Sequence, residues 1–169
     1  MIAKSLDVYV ALKLTCIDSF ESYAALARDL KMSVSEAHAS IKRSIDGGLV
    51  DASSLQANKQ ALFEYLVHGV KYAFPAKRGE ITRGIVTAHG VSPLNQKIEI
   101  QENELLPVWP HSHGKSKGYS IDPLHPSAPS AISEDTSFYE RLSLVDAIRG
   151  GRARERKLAE NELQKQFKI

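Results

Sequence analysis

The chain has 169 residues, 43% hydrophobic and 25% charged, with a formal net charge of +2 and a pI near 8.6. That is the composition of an ordinary globular protein, one compact domain or a small domain with an extension, and it neither demands nor forbids nucleic acid as a partner. No apolar run approaches the roughly 18–20 residues that span a bilayer, and MIAKSLDVYVALKL lacks the layout of a secretory leader, so a cytoplasmic, non-membrane chain is expected. The single cysteine, Cys16, excludes an intrachain disulfide framework; among hydrophobic neighbours it reads as a buried small apolar residue in a reducing compartment.

Taken in chain order, Leu6, Tyr9, Val10, Leu14 and Ile17 recur at helical spacing, although DVYVALKL also reads as a strand. Asp18 or Ser19 can cap a second helix with Phe20, Tyr23, Ala27 and Leu30 on its apolar face. A third follows the MSVS break, with Val34, Ala37, Ile41 and Ile45 inward and Gly47-Gly48 ending it. Ser33 and Glu36 form a capping box at its start. LVDASSLQA is turn-like and short enough for a small β-hairpin. Asn58 then caps a fourth helix, apolar on more than one side, which runs to Pro75.

Residues 75–133 hold all seven prolines and five of the ten glycines, and no helix of ordinary length survives that punctuation. An extended arm is expected, with KIEI as a short strand, ELLPVWP docked and SHGKSKG the most mobile part. Residues 134–169 return to helix. Phe138, Leu142, Val145 and Ile148 make one stripe, Gly150-Gly151 a break, and Leu158, Leu163 and Phe167 a second stripe, which together predict a helical hairpin.

Charge is unevenly placed. Residues 1–60 hold seven Lys/Arg against seven Asp/Glu, while Lys71, Lys77, Arg78 and Arg83 form one cationic cluster and RGGRARERK a denser one.

AALARDLKMSVSEAHASIKRSIDGGLV resembles the winged helix-turn-helix of bacterial transcription regulators of the MarR- and GntR-like group, over about residues 6–60. The carriers are Ala-Leu-Ala on the second helix, the small polar turn, Ile41 and Ile45, and Gly-Leu-Val entering the wing. With the arm and hairpin read above, a mainly α fold is expected: a winged helix-turn-helix domain with a small β-hairpin wing and the following helix over 1–74, implied in its first part by the resemblance, the Pro/Gly-rich arm over 75–133 and the helical hairpin over 134–169. The resemblance also implies a prokaryotic, homodimeric regulator that lays helix 34–46 in the major groove of double-stranded DNA. On that helix Ser35, His38, Ala39, Lys42 and Arg43 are left outside, small and polar first and cationic one turn later. Ser53, Ser54 and Lys59 in and after the wing, and Arg152, Arg154 and Arg156, are the candidate phosphate contacts. The wing carries no basic tip, a departure from the strong DNA-binding pattern.

The competing reading is a non-enzymatic interaction module, antitoxin-like or an adaptor, whose Pro-rich arm docks on another protein. His111, His113, His89 and His125 lack companion ligands at metal spacing, and no nucleophile elbow, P-loop or dinucleotide fingerprint is present. No enzyme, metal or cofactor is expected.

Overall fold

Val8, Tyr9, Val10, Ala11 and Leu12 are all fully buried, so the first helix, α1 (Ser5–Thr15), has no solvent face over that stretch. A helix apolar all round is a central one. In the computed structural model, which describes residues 3–169, α1 is that centre, with α3 (Val34–Asp46) packed against it and α2 (Tyr23–Leu30) against α3. The cap of α2 is Ser22, whose Oγ accepts from the Ala25 N–H at 3.0 Å, in place of the expected Asp18 or Ser19. Phe20 therefore precedes the helix and leans edge-on against Tyr23. Lys31, at φ 56°, turns the chain into α3.

The Ser33–Glu36 capping box forms as expected. The inward stripe of α3 differs from expectation. It is Ala37, Ser40, Ile41 and Ser44, while Val34 is 50% exposed and Ile45 half-buried. The cause is polar: the Ser40 hydroxyl donates to the buried Asp7 carboxylate at 2.8 Å, so a serine takes a core position that apolar periodicity assigns elsewhere. Gly48, at φ 78°, closes the helix, as a residue without Cβ can. The hairpin over 49–57 shrinks to one antiparallel bridge, Val50 to Ala57. The fourth helix splits at Gly69 into α4 (Lys59–His68), capped by Asn58, and α5 (Val70–Ala73).

Residues 75–133 are not an arm lying on a surface. They fold into β1 (Ile81–Val86), β2 (Pro107–Pro110) and β3 (Ser116–Ser120), which close on one another. β1 pairs antiparallel with both others, Arg83 opposite Lys117 and Ile85 opposite Trp109, and β2 meets β3 in parallel. The glycines that read as breakers are the places where backbones meet: a Cβ on Gly84 would overlap Trp109, and one on Gly118 would overlap Leu106. KIEI is not a strand; it follows a 3-10 turn at Leu94–Gln96. Within ELLPVWP, Val108 and Trp109 are buried, as expected of a docked segment.

A short α6 (Ala128–Ala131) leads to the hairpin of α7 (Thr136–Gly150) and α8 (Ala153–Phe167), broken where the glycine pair predicts. α7 lies between α1 and the sheet. On one side the Phe138 ring meets Tyr9 at 5.2 Å and Asp135 takes Lys13 at 2.6 Å. On the other, buried Asp146 accepts from Thr87 Oγ1 at 2.7 Å and Trp109 Nε1 at 2.8 Å, and pairs with Arg149. The Tyr139 hydroxyl donates to the Val86 carbonyl. One hydrophobic cluster joins Leu12, Trp109 and Leu163, residues from all three stretches of the sequence. The described residues thus form eight helices and a small three-stranded sheet, and none of these helices is long and apolar enough to cross a membrane.

Candidate nucleic-acid interface

The outward face of α3 starts with Ser35, followed by His38, the half-buried Ala39, and Lys42. The helix start is self-sufficient. Ser33 Oγ accepts from the Glu36 N–H, and the Glu36 carboxylate takes the Ser33 N–H, which holds its pKa below the usual carboxylate range. Glu36 is therefore a cap. His38 rests against the Tyr23 ring at 4.8 Å between centroids, so its imidazole is steadied from α2 while remaining exposed.

Arg43 is placed differently from the other four. Its Nη2 lies 2.8 Å from Asp7 Oδ1 and its Nε 3.0 Å from Oδ2, a two-pronged ion pair with a carboxylate that is 1% exposed. The guanidinium anchors α3 to α1 instead of projecting outward. Exposed cations near the α2–α3 turn are Arg28, Lys31 and Lys42, matched in number by Asp29, Glu36 and Asp46. This surface is close to neutral.

Ser53 and Ser54 turn inward on their own loop. Both hydroxyls donate to Asp51 Oδ1, at 2.7 and 2.8 Å, and both N–H groups reach the same atom. The Ser53 hydroxyl and the Ser54 amide hold the Asp51 pKa down at about 2, so the tip of this turn carries a fixed negative charge. Lys59 lies away from α3, lining a cleft with Leu14, Asp18 and Arg141. Arg152 and Arg154 are exposed at the start of α8, and Arg156 donates to the Gly151 carbonyl at 2.9 Å. The structure thus gathers Ser35, His38, Ala39 and Lys42 on one face, and leaves the arginines of α8 on a helix packed against α7 and α4.

The four histidines considered for metal do not converge. His111 and His113 are neighbours on the β2–β3 connection, with ring centroids 5.8 Å apart. His125 stacks on Tyr9. His89 is buried, with Nε2 3.6 Å from Glu104 Oε1 and Nδ1 3.9 Å from Glu155 Oε1. Among the described residues no three His, Cys, Asp or Glu side chains are grouped to hold a metal ion. Beside His89 is a cavity of about 10 Å³, room for about one water, roofed partly by Arg78. It does not admit an organic effector without side-chain movement.

Sequence reasoning missed Asp7 as the partner that occupies Arg43. The only local signal was a carboxylate inside an otherwise apolar helical run. It also missed that Arg83, Lys115 and Lys117 meet, because strand pairing brings together residues more than thirty positions apart. No protein-family model, no curated protein and no solved structure matches this chain.

Proposed function

We propose that the protein binds double-stranded DNA in a sequence-dependent manner, as a dimeric transcriptional regulator of the winged helix-turn-helix kind, with α3 in the major groove. The observation that carries the reading is the division of α3 into two faces. Ala37, Ser40, Ile41 and Ser44 seat it, while Ser35, His38, Ala39 and Lys42 stay free and the helix start needs no outside partner. Small polar groups ahead of a cation suit base edges first and phosphate second. The near-neutral surroundings imply little sequence-independent affinity, so pairing of two copies is what would bring useful binding strength. The 51–54 turn contributes no cation to this surface.

A gel shift with DNA from upstream of the protein's own gene tests the reading. Lys42→Ala should weaken binding to every duplex and lower the salt slope by about 1. His38→Ala should alter sequence preference by about 1–3 kcal/mol at one position. Parent-like binding by both variants removes α3 from the interface. The fixed negative charge of Asp51 and the half-exposed Val34 favour a second reading, in which the same face contacts a protein. Binding that is indifferent to salt would favour that reading.

A further inference from the structure

Arg83 and Lys117 stand directly opposite each other on β1 and β3. Cross-strand partners share a face, and Lys115, just ahead of β3, lines the same cleft. These three cations, with Ser116, line an open cleft of about 370 Å³. All three are exposed, and among the described residues none of them forms an ion pair with a carboxylate.

Like charges directly opposite on adjacent strands destabilise a sheet. Lysines are often tolerated on strands because they keep an open edge from pairing with another chain. That explanation covers Lys117 at most, since β3 meets β2 only at Tyr119 and Ser120, and it does not account for Arg83, which faces Lys117 on one side and whose carbonyl accepts from the His111 N–H on the other. The arrangement is also held in place: Gly114 lies so close to Gly84 that a Cβ would overlap its backbone, and the His111 N–H donates to the Arg83 carbonyl at 3.2 Å. A rigid turn thus holds three unneutralised cations around one concave space. Repulsion of this kind is relieved by an anion that several cations can share.

We infer that the cleft lined by Arg83, Lys115, Ser116 and Lys117 binds phosphate groups, with Arg83 as a two-pronged donor and the lysines as point charges. The phosphate can come from a nucleic-acid backbone or from a free polyphosphate such as a nucleotide. α3 packs on α1 and α2, while α7, packed on α1, holds the sheet through Asp146 and Tyr139, so the cleft is a site apart from α3. It stands whether or not α3 reads DNA.

Two measurements test it. In ¹⁵N-resolved NMR of the wild-type protein, inorganic pyrophosphate should shift the amides of Gly84, Gly114 and Lys115–Lys117 and leave those of α3 in place. In fluorescence anisotropy, a labelled single strand and a labelled duplex of arbitrary sequence are bound to wild type, to R83Q/K115Q/K117Q, and to K157Q/K165Q/K168Q, which removes equal charge from α8 and the residue that follows it. The cleft variant, its fold checked by circular dichroism, should bind at least about tenfold more weakly, with the salt slope reduced by about 2–3, at roughly 0.7–0.9 per lost contact. The α8 variant should lose far less. Competition separates the sources: displacement of the labelled strand by unlabelled strand alone assigns the backbone, and equal displacement by ATP or pyrophosphate assigns a free polyphosphate. If pyrophosphate moves no amide at the turn, or if both triple variants lose affinity equally, the cleft is not a phosphate site.

Discussion

Replacing Arg43 should cost stability and leave the proposed binding of duplex DNA by the folded protein largely intact. Asp7 is 1% exposed in its side chain and Arg43 17%, and three guanidinium contacts of 2.8–3.1 Å join them. Removing one partner of a buried pair leaves an uncompensated charge and costs about 3–5 kcal/mol. Asp7 would still accept from Ser40 and from the Lys4 N–H at 2.8 Å, so the low end, about 3 kcal/mol, applies to Arg43→Met. For a chain of this size that corresponds to a fall in Tm of roughly 6–12 °C. Urea unfolding measures the loss, and a gel shift well below the lowered Tm measures recognition. The double variant Asp7→Asn/Arg43→Met removes both charges and should recover much of the stability. A variant as stable as wild type, yet unable to bind a duplex that the parent binds, would refute the assignment of Arg43 as an anchor.

Tyr9 and Tyr139 should ionise at about 12, because burial disfavours the phenolate, against a usual value of 10.0. A raised pKa means the folded state holds its proton longer, so stability is whole below pH ~10 and declines as pH rises towards about 12. Phenolate absorbance in the folded protein that accounts for all six tyrosines near pH 10 would contradict this. Trp109→Phe deletes the indole donor to buried Asp146 and should cost about 1–3 kcal/mol in urea unfolding; an unchanged midpoint would show that Asp146 does not depend on it. The 51–54 turn should keep its Ser54 amide shift until pH falls through about 2, since a carboxylate with a depressed pKa loses its stabilising bonds only there. An inflection near 3.8 would mean that the serines do not hold Asp51.

What was legible in the sequence was local. Ser33 with Glu36, Asn58, Gly47-Gly48 and the glycine pair at 150–151 act within a few residues, and each marks its helix boundary correctly. The rotation of α3 was hidden because its decisive residue is a serine: Ser40 is buried by a bond to Asp7, thirty-three positions away. The sheet was hidden for a related reason. Gly84 and Gly118 look like breakers unless the opposing backbone is known, and Pro107 and Pro110 read as punctuation although they bound a strand. At the candidate interface, the outward set on α3 was readable from period and capping, except for the one residue whose partner sits on another helix.

The burial of α1 has a consequence for how the molecule opens. From Asp7 to Thr15 its side chains are buried, against α3 on one side and α7 on another, so this stretch cannot be wetted without separating neighbours from distant parts of the chain. Its backbone amides should therefore exchange with solvent only when the whole protein unfolds. A protease that nicks the loop after α5 would release a piece with Tyr9 and Leu12 uncovered, too poorly packed to survive alone. α3 therefore cannot be detached as an independent module, because α1, on which it sits, is covered by α7, more than ninety positions downstream.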